Sequence, residues 1–279
     1  MSGNHWSIET PQTLEIDDIR SIKLAAVSGR FDVVAHDEPV ARITISELEG
    51  DPLEIHADAG HLEIRHGHHD AARWLNKRHP SGPDNQFDQP NRFDQPNRLV
   101  ITIAVPAGTD VDAGTVSGDG LVSGLAGRIR VSSVSGSVIS DSTEGSLGAN
   151  TVSGEAIVRN HSGDLALNSV SGELTGSGNL SGIKANSGTG DMTFDCWGPV
   201  RKISTNSVSG AVLIRLPEDL GVDLSVTSVA SQITVDDENF KVLGNTKRSF
   251  GERSANSVQI GCISVSGAVS VFHRIKEAS

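Results

Sequence analysis

The chain has 279 residues, a formal net charge of −12, and an aromatic content of 4% with no tyrosine. This acidic balance argues against nucleic acid or an anionic membrane as the main partner, because both need clustered Lys and Arg. With 30 glycines and so few rings, the chain is expected to form a thin fold of small and β-branched residues, without a globular core of large aromatic side chains.

The N-terminal segment lacks the features of a targeting sequence. The first thirty residues contain Glu9, Glu15, Asp17 and Asp18 and no apolar run, which does not match a secretory signal. The most apolar stretch, residues 99–105, is far shorter than the roughly 20 residues that span a bilayer. We therefore expect a cytoplasmic protein without membrane insertion, and association with the cell envelope stays open.

Residues 66–98 interrupt the strand-like pattern of the chain. They hold four of the ten prolines and a tandem hexapeptide, residues 87–92 followed by 93–98, which predicts an exposed flexible loop. Asp70 is a suitable N-cap for a short helix over residues 71–78, which would end before Pro80.

A histidine cluster at the start of this insertion is a candidate metal site. His66, His68 and His69, with His61 and His79 nearby, offer the imidazoles that zinc and nickel accept as ligands. The cluster lies in the predicted loop, without a Cys partner or a fixed scaffold. We therefore expect solvated histidines that bind no metal.

A repeat follows the insertion. Val-Ser-Gly recurs every eighteen residues, at 116–118, 134–136, 152–154 and 170–172, and glycines at 127, 145 and 163 fall halfway between. The segments between glycines, such as 128–131, alternate with the period of two that a strand requires. Two nine-residue units make one coil, and coils stacked about 4.8 Å apart form parallel sheets. The repeat predicts an all-β parallel β-solenoid (β-helix).

Residues at equal positions of successive coils lie above one another in such a solenoid. We expect the repeat valines to form an apolar ladder in the interior: Val116, Val134, Val152 and Val170. We expect the repeat serines to form a hydroxyl row at the corner: Ser117, Ser135, Ser153 and Ser171. Asparagines with the same spacing predict a ladder of paired side-chain amides: Asn150, Asn168 and Asn186. The narrow interior is expected to have no room for aromatic rings.

The motif also occurs outside the regular array, at 27–29, 208–210 and 265–267, which predicts less regular capping coils at both ends. We predict one elongated domain over residues 1–279. Its parts are irregular N-terminal coils (1–65 and 99–110), the flexible insertion (66–98), the regular array (111–210) and C-terminal coils (211–279).

Other candidate sites have incomplete patterns. Acidic residues directly follow repeat glycines, but the Gly-Gly-x-Gly-x-Asp unit of the calcium-binding β-roll is absent. These acids are Asp119, Glu155, Asp164, Glu173 and Asp191. Solenoid enzymes that cleave acidic polysaccharides gather aspartates with a Lys or Arg on one sheet, whereas the basic residues of the array look scattered. They are Arg128, Arg130, Arg159, Lys184, Arg201 and Lys202.

The remaining chemistry-bearing residues do not indicate an enzyme. Cys196 and Cys262 match no metal or redox spacing and are expected to be buried free thiols. The sequence has no Ser/His/Asp arrangement, phosphate-binding loop or dinucleotide fingerprint. We predict a protein that is not an enzyme, with no catalytic residue, no cofactor and no metal.

Several features resemble the bacterial DUF4097 family of β-strand-repeat proteins, which carry the name putative adhesins. They are the repeated Val-Ser-Gly and the segments 103–106, 214–217 and 263–269. The opening of the chain resembles actinobacterial members, at Trp6, Pro11, 19–34 and 41–43. The resemblance implies a β-solenoid without known catalytic residues and an adhesion-like scaffold role, with some relatives in envelope-stress systems.

These observations predict a non-enzymatic scaffold that presents sheet faces and the flexible loop to a protein partner or to a second copy of itself. A link to envelope stress is an expectation from the resemblance. A carbohydrate- or cell-wall-binding adhesin module is the alternative, and a solenoid polysaccharide hydrolase is the third hypothesis.

Overall fold

The computed structural model describes residues 4–67, 97–218, 220–251 and 257–274. Within these ranges the chain forms β-strands and no helix, which confirms the all-β class. The predicted helix over 71–78 lies outside the described residues. The strands before the insertion are β1 (Asn4–Ile8), β2 (Thr13–Ile16), β3 (Ser21–Ala26), β4 (Gly29–His36), β5 (Ala41–Glu49), β6 (Leu53–Asp58) and β7 (His61–His66).

The first strand after the insertion, β8 (Arg98–Pro106), completes the N-terminal coils. The strands of the array are β9 (Asp110–Thr115), β10 (Asp119–Ser123), β11 (Ala126–Ser133), β12 (Val138–Asp141), β13 (Glu144–Thr151), β14 (Ala156–Ser169), β15 (Leu174–Ser187), β16 (Met192–Cys196) and β17 (Lys202–Ser207). The last are β18 (Val212–Leu216), β19 (Gly221–Val235), β20 (Glu238–Phe250), β21 (Ser257–Ser264) and β22 (Val269–His273).

Each coil contributes one strand to each of two faces. Face 1 has the order β1-β6-β7-β3-β9-β11-β13-β14-β15-β17-β21-β19-β20. Face 2 has the order β2-β5-β8-β4-β10-β12-β14-β15-β16-β18-β22-β19-β20. Strands β14, β15, β19 and β20 run round a corner and belong to both. Because β15 and β19 are shared, β15, β16, β18, β22, β19, β21 and β17 close into a ring of seven parallel strands.

The eighteen-residue register of the array is the one that the repeat predicts. On face 1, Ile129 pairs with Leu147, Leu147 with Leu165, and Leu165 with Ile183. All four side chains are buried and stack in one column of the core. Register and stacking together confirm the β-solenoid.

The chain order departs from simple stacking at both ends. The β3–β4 coil lies between β7–β8 and β9–β10, because the chain runs outward through β5 and β6 before it returns. The β21–β22 coil likewise lies between β17–β18 and β19. Antiparallel strands complete the ends, with β1, β2, β5 and β6 at one and β20 at the other. The end coils are therefore irregular, as expected, through pairings that the repeat does not encode.

The predicted interior ladder of repeat valines is wrong. Val152 and Val170 are 40% and 58% exposed, and the Ser or Thr that precedes each repeat valine faces the core instead. At four of the corners this hydroxyl accepts a hydrogen bond from the N–H of the repeat glycine, as in Gly118 N to Thr115 Oγ1 (3.0 Å) and Gly136 N to Ser133 Oγ (2.8 Å). This local hydrogen bond closes a tight turn between the hydroxyl residue and the glycine. The repeat valine lies inside that turn, and its side chain points outward.

The predicted hydroxyl row and asparagine ladder are both confirmed. The Ser135 hydroxyl donates to the Val116 carbonyl of the neighbouring coil at 3.2 Å, and the corresponding serines repeat this contact. The Asn168 amide donates to Asn150 at 2.8 Å and accepts from Asn186 at 2.7 Å. The ladder extends to Asn206, which donates to Asn186 at 2.6 Å although its spacing is 20 residues.

Two aromatic rings occupy the interior, contrary to the expectation that it has no room for them. Phe31 and Phe194 are both fully buried. Phe31 lies against Gly120, where a β-carbon would come within 2.3 Å of the ring, and Phe194 lies beside Gly176. A ring therefore fits where the adjacent coil carries no side chain.

Candidate functional site

The described part of the predicted histidine cluster is not brought together. His61 and His66 occupy opposite ends of β7, and His61 is exposed, sharing a 2.9 Å hydrogen bond with Ser21. The expectation that these histidines are solvated in a loop is wrong for His66, which is the last residue of β7 and is buried in the core. Burial lowers its pKa from the ordinary value of 6.5. His68, His69 and His79 lie outside the described residues.

Two of the acidic residues that follow the repeat glycines, Asp119 and Asp191, make contacts within the stack. The Asp119 carboxylate accepts a hydrogen bond from the Ser137 backbone N–H at 2.9 Å, and that of Asp191 accepts from Ala211 N–H at 2.7 Å. Asp119 and Asp191 therefore bind the backbone of the next coil, which explains the position of these two acids by the fold.

Both cysteines are free and buried, as expected. Burial raises the pKa of the Cys196 thiol to about 12 and that of Cys262 to about 11. Because the thiolate is the nucleophile and the metal ligand, a thiol that stays protonated at neutral pH is suited to packing.

A buried polar cluster occupies the corner between β12 and β14. Thr143 Oγ1 lies 3.1 Å from Ser140 Oγ and 3.0 Å from His161 Nδ1, and His161 Nε2 lies 3.3 Å from the Asp164 carbonyl oxygen. Burial lowers the pKa of His161, and the neutral ring with its proton on Nε2 fits these partners. The cluster is closed to solvent and stabilises the corner.

The outer surface of face 1 carries a groove that the sequence analysis missed. One depression of 450 Å³ adjoins another of 700 Å³, and Lys202 lines both. The groove follows two outward columns in which short side chains predominate. The first column is Gly148, Ala166, Lys184, Ser204, Gly261, Ser225 and Lys247. The second is Ser146, Asp164, Gly182, Lys202, Gln259, Asp223 and Ser249.

Three lysines give this groove a net positive lining, since they and Arg248 outnumber the two carboxylates there, those of Asp164 and Asp223. Lys184, Lys202 and Lys247 are exposed, and none forms an ion pair with a described carboxylate. Lys184 and Lys202 look scattered in the sequence but lie on adjoining coils. The sequence does not show which strands are neighbours in space. The strand next to β17 is β21, and its Gln259 pairs with Lys202 although the two residues are 57 positions apart in the sequence.

The outward repeat valines form an apolar ridge along one edge of face 1, in which Val116 and Val134 are half-buried and the others are exposed. This valine ridge consists of Val116, Val134, Val152, Val170, Val208, Val265 and Val229. Backbone hydrogen bonds fix this order, for example Ser171 N to Val152 O and Ser266 N to Val208 O. Gly188 occupies the corresponding position between Val170 and Val208, because Thr189 N donates to Val170 O and Val208 N to Gly188 O. Val208 and Val229 are 54% and 68% exposed, and Ile263 on the adjacent outward column is 59% exposed. At a coil spacing of about 4.8 Å the ridge extends roughly 34 Å.

The model of the Toastrack DUF4097 family matches residues 17–272. The chain belongs to the Toastrack DUF4097 family. This match confirms the family that the repeats and flanking segments predicted; the actinobacterial likeness stays a prediction.

Solved structures similar to this Toastrack protein share little sequence with it. A putative cell adhesion protein from Clostridium sporogenes has a TM-score of 0.32 and 13% identity, covering 95% of this chain and 100% of its own. A putative lipid binding protein from Parabacteroides distasonis has a TM-score of 0.44 and 15% identity, covering 95% and 97%. A putative adhesin from Bacteroides fragilis has a TM-score of 0.41 and 11% identity, covering 95% and 98%. No curated protein matches the chain.

The described ranges contain no helix with the length and apolar character to cross a membrane. The predicted cytoplasmic location stays a prediction.

Proposed function

We propose that this Toastrack protein is a non-enzymatic interaction scaffold of the adhesin type, and that it binds a protein partner along the valine ridge and the adjoining groove of face 1. The observation that carries the proposal is the exposed row of repeat valines. An exposed apolar surface of this kind, broken only by Gly188 between Val170 and Val208, is typical of protein interaction sites. The stack holds it rigid, so binding it costs little conformational entropy.

The lysines of the groove favour a protein partner whose surface has acidic side chains beside the apolar side chains that contact the ridge. Lys184, Lys202 and Lys247 form no ion pair with a carboxylate of the described residues, and they lie on a chain of net charge −12. Complementary charges at the rim of an interface favour the correct partner and speed its association.

The positions of the groove carboxylates support a non-enzymatic role. Asp164 and Asp223 are separated by three intervening strands, which places their backbones about 19 Å apart at a strand spacing of about 4.8 Å. Glycosidase carboxylates lie about 5–9.5 Å apart. The third hypothesis, a polysaccharide hydrolase, therefore has the least support.

A carbohydrate- or cell-wall-binding module is the second candidate. The asparagine ladder and the serines of the groove offer polar side chains in a regular array, which suits an extended glycan. A link to envelope stress, self-association and a contact through the insertion are further parts of the proposal. Most of the insertion lies outside the described residues.

Site-specific photo-crosslinking in the cell of origin tests the proposal. A photoreactive residue replaces Val170 on the ridge, Lys202 in the groove, or Leu213, which is 37% exposed on the outer side of face 2. We expect one protein to crosslink from both Val170 and Lys202 and not from Leu213. Equal crosslinking from all three positions, or none from the two face 1 positions, would contradict the proposal.

Charge reversal and a glycan array then separate the two candidates. We expect Lys202→Glu/Lys247→Glu to weaken binding of the crosslinked protein, while Lys241→Glu, an exposed lysine outside the groove, leaves it unchanged. If the wild type instead binds a defined glycan, and the double variant loses that glycan, the carbohydrate module replaces the protein scaffold.

A further inference from the structure

A second group of histidines lies at the N-terminal end of the solenoid, away from the groove. Strand β1 pairs with β6 in antiparallel register, so that His5 is directly opposite His56 and Ser7 is opposite Glu54. Glu54 and His56 are two residues apart on one strand and project from the same side. The register therefore brings two imidazoles and one carboxylate together from two strands.

These three side chains have the spacing of a metal-binding group. His5 Nε2 lies 2.5 Å from Glu54 Oε2, and the His5 and His56 ring centroids are 4.1 Å apart. One ligand atom from each of the three lies within 4.8 Å of the others. Nitrogen and oxygen ligands bonded at about 2.0–2.2 Å around a tetrahedral zinc are roughly 3.3 Å apart. Small side-chain rotations close this difference, because the His5 and Glu54 side chains are 51% and 33% exposed.

Ser7 provides the supporting contact that such a site uses. Its hydroxyl donates a 2.7 Å hydrogen bond to Glu54 Oε1, while Oε2 faces His5. One carboxylate oxygen is thus held by the protein and the other is directed at the imidazoles. Neighbours that orient a ligand in this way contribute to metal affinity.

We propose that His5, Glu54 and His56 bind one divalent transition metal ion of the zinc class. Two imidazoles and a carboxylate are a ligand set that zinc accepts, and a fourth position stays open to water or to a further ligand. Among the described strands, β1 pairs only with β6, so it is an edge strand of face 1. The metal fastens this strand to its neighbour at the end of the stack.

The site differs from the cluster that the sequence suggested. His5 and His56 are 51 positions apart, and only the register of β1 on β6 makes them neighbours. Because the chain has 10 histidines, the test separates this site from the others, above all from His68 and His69.

Calorimetric titration of the full chain with zinc chloride, after treatment with chelator, tests the site. We expect one equivalent of Zn²⁺ to bind, and His5→Ala, His56→Ala and Glu54→Gln each to weaken binding at least about tenfold. The matched controls are His61→Ala, an exposed histidine of the same face, and His68→Asn/His69→Asn; both are expected to keep the full affinity. Co²⁺ is expected to give a tetrahedral absorption band in the wild type and in the controls.

Two outcomes would overturn the proposal: no stoichiometric binding by the wild type, or an affinity that falls with His68→Asn/His69→Asn and not with the three site variants. Glu54→Gln keeps the size of the side chain, so it tests the site even if a histidine variant fails to fold. Circular dichroism without metal checks that each variant is folded.

Discussion

Gly136 lies directly over Gly118 in the stack, so close that a β-carbon on Gly136 would be 1.9 Å from the Gly118 carbonyl oxygen. The same close approach links the repeat glycines through the whole molecule. In spatial order they are Gly29, Gly118, Gly136, Gly154, Gly172, Gly190, Gly210 and Gly267. The column places the outlying motifs at 27–29 and 265–267 in the same corner as the regular array.

This contact predicts that Gly136→Ala is strongly destabilising. The methyl group must displace the backbone of the coil beneath it, and overpacking of this kind costs about 1–3 kcal/mol or more. Gly148→Ala is the matched control, because a β-carbon there would find no atom nearer than 3.9 Å. We expect the control to change the free energy of unfolding in urea by less than about 0.5 kcal/mol. Equal effects of the two substitutions would mean that the glycine column is not required.

The buried hydroxyl of the corner predicts a second stability effect. Ser133→Ala leaves the buried N–H of Gly136 without the acceptor that it now has at 2.8 Å, which costs about 1–3 kcal/mol. Ser204→Ala, on the outer surface of face 1, is expected to have little effect. Urea denaturation measures both variants; a Ser133→Ala variant as stable as the wild type would contradict the assigned role of the hydroxyl.

The asparagine ladder predicts a dependence on position. Asn168 both donates to Asn150 and accepts from Asn186, whereas Asn206 only donates to Asn186. Since each hydrogen bond contributes about 0.5–1.5 kcal/mol, Asn168→Ala is expected to cost about twice as much as Asn206→Ala. The comparison uses unfolding free energies measured under one set of conditions. If Asn206→Ala lost more unfolding free energy than Asn168→Ala, the hydrogen bonds of the ladder would not determine the relative cost of the two substitutions.

Burial of His161 predicts that acid destabilises the protein. Its pKa is lowered in the folded state, so below the ordinary value of 6.5 the unfolded chain binds the proton that the folded chain excludes. Stability is therefore complete above about pH 6.5 and falls as the pH drops below it. His66 acts in the same direction. Between pH 7 and 5, we expect the unfolding free energy of His161→Gln to fall less steeply with pH than that of the wild type, because the variant takes up about one proton fewer on unfolding. An unchanged slope would mean that His161 is protonated in the folded state.

The thiols predict a chemical readout of the core. Cys196 and Cys262 are buried and their pKa values are raised, so the native protein is expected to resist iodoacetamide at pH 8. Both cysteines are expected to react after denaturation, as mass spectrometry would show. Rapid labelling of Cys262 in the native protein would contradict its place in the core between β17 and β19.

The sequence predicts the stacking but not the direction in which each corner residue points. Equal spacing identifies which residues stack, so the serine row and the ladder from Asn150 to Asn186 follow from counting. The outward position of Val170 depends on the hydroxyl before it, which competes for the backbone of the turn. The Val-Ser-Gly motif begins at the valine and so does not include the Ser or Thr that precedes it. Hydrophobicity alone therefore placed the valines inside.

The repeat does not predict contacts between segments that are distant in the sequence. Gln259 lies beside Lys202 because β21 enters the gap between β17 and β19, and no interval in the sequence encodes this order. His5 meets His56 through an antiparallel pairing at the capped end. Both the lysine groove and the proposed metal site depend on such end contacts.

Partner binding through the ridge requires that the repeat valines face solvent, and thiol labelling of Val170→Cys tests this most directly. In the native protein we expect Val170→Cys to react with a maleimide nearly as fast as a free thiol, while Val131→Cys, in the core column of the same face, stays protected. Protection at Val170 together with reaction at Val131 would place the valines inside and remove the binding surface.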